Sequence, residues 1–535
     1  MSDSFVSRAE RIVDALLESD PSLAMWSGDH RGDGRLPDFS ADAVASRASM
    51  LREASHVLTE VDEDDLGTDD AVDLELLTTK VSGALFDVTE LREHEWNPLV
   101  YNPGMLLNTL LTRPSAPVED RLSALVERLN AIPDSLATAK SNLSDIPAVY
   151  SSTGAAQFRG TAGLIGHELP GLAAQVPGLQ AKASAAGDQA VAALRDFADW
   201  LSAQPDGRSP RLGRALWEAK LWHRLDTPVS AASLLKDAYQ ALEETTAELH
   251  EAAGRFMGEA GSSEVARAAL LRSAADRPGN DTVLSRARDL VDETTRFVRD
   301  RDLVSLIDDP LEIVELPAFA RGVTVAYVDA PGALETAKVP TFYAISPAPD
   351  NWSAEQVESY FSEYNNHMLA NLTVHEAMPG HYLQLAHARR YRGRTRVRQI
   401  GFSGTFVEGW AVYAEEMMQQ HGYGGPEVAV QRLKMKLRMI INVILDQQVH
   451  CEDMDRDDAL HLMTVQGHQA EREAAGKWDR ARLSSTQLST YFAGYREVAR
   501  IADSCPSGRP DRAWHDAMLS HGSIPPRHVA TLMGV

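Results

Sequence analysis

The chain is poor in cysteine, in positive relative to negative charge, and in long apolar runs. Only Cys451 and Cys505 occur among 535 residues. Two cysteines cannot staple a chain of this size, which excludes a disulfide scaffold and fits a reducing compartment. Lys and Arg number 52 against 77 Asp and Glu, a formal net charge of −25. Nucleic acids and anionic membrane surfaces repel such a protein, so neither is expected as a partner. No run of about 18 apolar residues is present, so no transmembrane helix is expected. The N-terminal stretch Met-Ser-Asp-Ser-Phe-Val-Ser-Arg-Ala-Glu-Arg lacks the apolar centre of a secretory signal. With the cysteine count, it predicts a cytoplasmic protein.

What is present reads as a large globular body. Apolar residues make up 44% and charged residues 24%, values of folded rather than disordered chains. Residues 1–310 read as a helical N-terminal part, and over 1–140 apolar positions recur every three or four residues, as in Ile12, Leu16 and Leu17. The turn-rich Gly28–Gly34 closes the first helical stretch, Asp62–Asp65 reads as a solvated loop, and Trp96–Pro103 breaks the pattern. Further helices are expected over 120–145, 185–204 and 228–256. After Pro310 the texture changes. Gly322–Val328 and Val339–Ile345 are short β-branched and aromatic runs separated by Pro331-Gly332, a small β element just before the next motif. It either covers the helical core or offers a strand edge to a peptide. Residues 311–535 form the second part, and the two parts are expected to make one continuous body. No internal repeat or low-complexity tract occurs.

Thr373-Val-His-Glu-Ala-Met-Pro-Gly-His-Tyr-Leu-Gln384 places His375, Glu376 and His381 on one segment. Zinc takes histidine nitrogens and carboxylate oxygens, keeps one position for water, and lets a nearby glutamate draw a proton from that water. In the helical H-E-x-x-H form the histidines stand at i and i+4. Here they stand at i and i+6, about 120° apart on a regular helix. An unbroken helix could not offer both to one ion. Pro379 has no N–H to give, and Gly380 follows at once, so a break is expected between the histidines. Such a break could return His381 to the face of His375; a kinked core helix with incidental histidines is the other reading.

In Gly404–Met417, residues Val407, Trp410, Ala411, Ala414, Met417 and Met418 form or continue a buried stripe, with Glu408 and Glu415 sharing a face. A carboxylate beside a buried stripe needs a partner. A metal would serve, and so would a salt bridge.

His375–His381 and Glu408–Glu415 resemble the H-E-A-x-P-G-H and E-G-W-A-x-Y-x-E motifs of the bacterial domain-of-unknown-function family 885. The resemblance extends over nearly the whole chain. It includes Asp20-Pro21 through Asp38, Arg211–Trp217, the D-x-x-x-H stretch Asp446–His450, Gln487–Gly494 with Leu488 in place of the usual alanine, and Trp514–Ile524. That family is similar to the helical zinc peptidases of the thimet-oligopeptidase, angiotensin-converting-enzyme and carboxypeptidase Taq type. The resemblance implies a mainly α protein, a multi-helix body with a deep cleft and a gluzincin-like zinc site. In it His375, His381 and Glu408 are the ligands, Glu376 is the general base and Glu415 orients a ligand. It also points to Tyr491, then Tyr495, as donors to the oxyanion, with His450 as a further candidate. The expected function is a zinc-dependent metallopeptidase acting on short peptides. A non-peptide amide substrate, or a binding protein that retains the fold without turnover, are the alternatives.

Overall fold

A computed structural model describes residues 2–227, 229–316 and 325–535. It is mainly α-helical with one three-stranded sheet, as the periodicity requires. The chain forms two compact units. The first comprises Met1–Pro210 with two returning segments, Pro331–Val339 and Arg392–Gly401; the second holds the remainder.

In the first unit, long amphipathic helices pack along their apolar stripes, including Val118–Asn142, Ala148–Ala173 and Pro177–Ser202. The expected breaks lie where turn chemistry put them. Gly28 ends the helix Pro21–Ser27 in the left-handed region at φ 81°, and 93–101 runs through short 3₁₀ turns. The returning segments are held by charge as well as packing. Arg398 donates to the buried Asp73 at 2.6 Å, and Thr395 does so at 2.5 Å. Arg396 donates to Glu10 at 2.6 Å. Glu335 lies 2.8 Å from one nitrogen of His30, and Asp33 lies 2.8 Å from the other.

The second unit is built around Gly425–Cys451, a helix buried on nearly every face. Its apolar positions, among them Leu433, Leu437, Ile440, Ile444 and Val449, share a core with Leu234, Leu242 and Leu249 of the helix Ala231–Met257 and with Trp217. The sheet contains β1 (Leu311–Glu315), β2 (Ala326–Asp329) and β3 (Thr341–Ile345) in the order β1-β3-β2. β3 pairs parallel with β1 and antiparallel with β2. The run Val339–Ile345 thus supplies the central strand. Only the end of the run Gly322–Val328 is seen as strand, since 322–324 lie outside the described residues. β1 was not expected, because Leu-Glu-Ile-Val-Glu is too short and too charged to separate from a helix end.

Two helices of this unit, Gly404–Gln420 and Thr490–Asp503, cross with their backbones in contact. A Cβ on Gly409 would overlap the Gly494 carbonyl, and a Cβ on Gly494 would overlap the Thr405 carbonyl oxygen. Neither backbone can give way without moving a helix. Gly494→Ala is therefore expected to destabilise the protein by about 1–3 kcal/mol through overpacking, seen as a lower midpoint of denaturant unfolding. An unchanged midpoint would show that the crossing tolerates a methyl group.

Candidate metal centre

The first histidine stands in the last turn of the helix Asn366–Glu376, which Asn365 caps at its N-terminus. The Asn365 side chain accepts from the N–H groups of His367 and Met368 at 3.2 and 3.1 Å. The helix stops where Pro379 removes a donor. Ala377 and Met378 both donate to the Thr373 carbonyl, at 2.9 and 3.1 Å, and Gly380 donates to the Val374 carbonyl at 2.9 Å. The Met378–Pro379 peptide is cis. A Cβ on Gly380 would overlap the carbonyl oxygens of Val374 and His375, so only glycine fits this turn. Trp410 donates its indole N–H to the Pro379 carbonyl at 2.9 Å, tying the turn to the helix Gly404–Gln420. A new helix then begins at His381. The break expected between the histidines is present.

It brings the two imidazoles together, with ring centroids 4.7 Å apart. Nε2 of each lies 3.5 Å from Oε2 of Glu408. That separation is long for a hydrogen bond between nitrogen and carboxylate. It matches the edge of roughly 3.3 Å expected between ligands of a tetrahedral ion with bonds of about 2.0–2.1 Å. Glu408 Oε2 is buried with no hydrogen-bond partner among the described residues, an orphaned acceptor that a metal ion would satisfy. Among the described residues, His375, His381 and Glu408 form the group of side chains able to hold a metal. The donor set of two nitrogens and one carboxylate oxygen suits zinc.

The charges agree. Burial disfavours the charged His375 ring, but Glu408 and Glu415 outweigh burial and hold its pKa well above the ordinary value. Burial likewise opposes the Glu408 carboxylate, and His375 and His381 outweigh it, holding Glu408 well below the usual range. A pocket that favours a proton among these atoms also favours a divalent cation, which displaces the proton on binding.

His375 is held from behind. Its Nδ1 lies 2.8 Å from Glu415 Oε1, and Asn371, one turn earlier on the same helix face, donates to Glu415 Oε2 at 2.7 Å. Both oxygens of the buried Glu415 are thus engaged, and the imidazole is left with Nε2 facing Glu408. Asn371 was missed in the sequence reading, although its i−4 spacing from His375 was a usable signal.

Glu376 is 7% exposed and follows His375 directly. Burial raises its pKa, and the pull of His381 and His375 offsets burial only in part. Tyr491 lies on the helix Thr490–Asp503, one turn before Gly494, so the backbone crossing at Gly409 carries it toward Glu408. Its hydroxyl accepts from Arg480 at 3.0 Å and from Gln487 at 3.1 Å. Burial and the charge of Glu408 push its pKa up, against Arg480 and Gln487.

The remaining candidates are engaged elsewhere. Tyr495 donates to Glu416. His450 is buried, with Nε2 2.9 Å from the Ala481 carbonyl and Nδ1 accepting from the Leu212 N–H at 3.3 Å. Its neighbour Asp446 accepts from Trp217 Nε1, from the backbone N–H groups of Thr486 and Ser489, and from the Ser489 hydroxyl, all within 2.7–3.0 Å. The D-x-x-x-H stretch thus fastens 481–489, the stretch that leads from Arg480 to Tyr491.

A mainly helical body carrying two histidines and a glutamate in ligand geometry defines the class. The chain belongs to the family described as bacterial protein of unknown function (DUF885), whose model matches residues 21–533. No curated protein matches it. Two solved structures are similar over its whole length. One is "a putative lipoprotein of unknown function" from Shewanella oneidensis, with 28% identity, TM-score 0.82, and coverage of 99% of this chain and 100% of that one. The other is "the putative lipoprotein" from Colwellia psychrerythraea, with 15% identity, TM-score 0.80, and coverage of 99% and 98%. An M32 carboxypeptidase from Deinococcus radiodurans R1 is distantly similar, at 10% identity and TM-score 0.41 over 98% and 96% of the two chains. A likeness at that score is too weak to bear on activity. The expectation of a cytoplasmic protein is overturned by the two whole-length relatives, since both are described as lipoproteins. Among the described residues no helix is long and apolar enough to cross a membrane.

Glu415→Gln keeps the shape of the side chain but weakens its hold on His375. Zinc affinity should fall about 10–100-fold, measured by competition with a chromophoric chelator. An affinity equal to that of the parent protein would mean that His375 needs no such support.

Proposed function

We propose that the protein is a zinc-dependent hydrolase of peptide bonds or closely related amides. The observation that carries this reading is the convergence of His375, His381 and Glu408 beside the buried Glu376. Those three residues would hold the ion, which when bound supplies Lewis acidity and makes water acidic near neutral pH. A scaffold that only stored a metal would have no use for Glu376, a carboxylate buried at a desolvation cost next to a ligand.

Glu376 is suited to general-base work because burial lifts its affinity for a proton toward the working range. It takes the proton from water as the water oxygen bonds to the amide carbon. It then delivers that proton to the nitrogen as the C–N bond breaks, so that acid and amine leave with the protons balanced. Tyr491 serves the developing oxyanion. Both of its neighbours donate to it, so the phenolic hydrogen is left free to point at the substrate oxygen, and its raised pKa keeps that hydrogen in place.

Glu376→Gln should retain bound zinc and lose hydrolysis of a peptide library by about 10²–10⁴-fold. Zinc retained together with unchanged turnover would remove the assigned role. For the oxyanion donor, Tyr491→Phe should lower kcat about 10²–10³-fold with KM and zinc content little changed. A parental kcat in that variant would make Tyr491 a packing residue.

A further inference from the structure

Beside the metal group lies a concentration of positive charge that runs against the acidity of the whole chain. The helix Glu471–Leu483 presents Glu473, Lys477 and Arg480 at i, i+4 and i+7, one face of the helix. Arg438, from the buried helix Gly425–Cys451, reaches Glu473 at 3.5 Å and Glu363 at 3.2 Å, and Lys434 reaches Glu363 at 2.8 Å. Tyr364 also donates to Glu473 at 2.8 Å. Four cations therefore stand with two carboxylates, and both carboxylates are taken up by Lys434 and Arg438.

Lys477 is the residue left over. It is half-buried and has neither a hydrogen bond nor an ion pair among the described residues. Burial, with Arg480 and Arg438 nearby, pushes its ammonium well below the usual lysine range, against the pull of Glu473. A buried amine without a partner costs stability whether it keeps or sheds its proton, and a ligand carboxylate would favour the charged form and supply the missing partner. Arg480 lies one turn away. Its Nη2 forks to Gln487 at 2.9 Å and to the Tyr491 hydroxyl at 3.0 Å, so the guanidinium joins the helix of Lys477 to that tyrosine. Through Arg480 the helix that carries Lys477 touches Tyr491, the tyrosine that feels the charge of Glu408.

We propose that Lys477 and Arg480 form the seat for a substrate carboxylate, either the C-terminal group or an acidic side chain close to the scissile amide. This specificity rests on the hydrolase reading. A peptide entering with its carboxylate on Lys477 and Arg480 brings a carbonyl toward Tyr491, beside the metal group. Arg480 thereby links anion recognition to the oxyanion donor through the hydrogen bond it already makes. A neutral or amidated end leaves Lys477 unpaired and gains nothing there.

The test separates the seat from catalysis by measuring binding in a zinc-loaded Glu376→Gln protein. The probes for calorimetry are Ala-Ala-Ala with a free carboxylate, the same tripeptide as its C-terminal amide, and Ala-Ala-Glu amide. The free acid should bind roughly tenfold or more tightly than the neutral amide, the scale of a charge-assisted contact. Adding Lys477→Met should bring the two within about twofold. Ala-Ala-Glu amide binding as well as the free acid would assign the seat to a side-chain carboxylate; binding like the neutral amide would assign it to the C-terminus. Without peptide, Lys477→Met should unfold at the same temperature as its parent or higher, because a buried amine without a partner is removed. Equal binding of acid and neutral amide, an acid preference that survives Lys477→Met, absence of binding by all three, or a lowered unfolding temperature would each overturn the proposal. Cleavage of the same peptides by protein that retains Glu376 tests hydrolysis separately. Acid-selective binding without cleavage would sink the hydrolase reading and leave the seat standing.

Discussion

The candidate site depends on one contact that involves no functional group. Where the helices Gly404–Gln420 and Thr490–Asp503 cross, Gly409 and Gly494 meet backbone to backbone. Glu408 precedes the first glycine, and Tyr491 lies one turn before the second. Side chains of ordinary size at the crossing would hold the axes about 8–10 Å apart. Bare glycines let the axes close further, and the ligand carboxylate and the phenol share one small volume as a result. Glu408 of the candidate metal group and the Tyr491 phenol are therefore set by the same packing event.

The other half of the site is a controlled failure of helix geometry. Thr373 and Val374 accept the hydrogen bonds that a regular helix would have spread over successive carbonyls, and Gly380 fits against those carbonyls because it has no side chain. Trp410 satisfies the Pro379 carbonyl from the neighbouring helix. His375 and Glu408 are thus joined twice, once through the turn that Trp410 holds and once through Glu415, which lies two turns along the same helix as Glu408 and bonds the far side of the imidazole.

Much of this was legible in the chain. The pattern His375-Glu376-x-x-Pro379-Gly380-His381 carries its own argument, because proline and glycine between histidines separated by six residues call for a break. Glu408 and Glu415 announced themselves as carboxylates on a buried stripe. The roles of Asp446 and His450 were not legible: a histidine near an active-site motif reads as a candidate donor, whereas here both ring nitrogens are spent on backbone groups. Arg480 and Lys477 were also missed. Their meaning lies in which charges around them are already paired, and pairing between helices distant in sequence leaves no periodic trace. β1 escaped for a similar reason, since its partner β3 lies 30 residues onward in a parallel register.

The route of the chain through the first unit bears on how the protein is made. Asp73 is buried early in the sequence, and its partners Thr395 and Arg398 arrive only with the second returning segment. A ribosome adding about 5–20 residues per second needs roughly 10–40 seconds to pass from Pro210 to Arg398. Throughout that interval the N-terminal unit holds an aspartate without its guanidinium and a docking surface without its returning segments. His375 and His381 have by then already been synthesised. The N-terminal unit is thus the first to be started, yet it reaches its full set of contacts only after the turn between His375 and His381 has left the peptidyl-transferase centre, so the order of translation is not the order of completion.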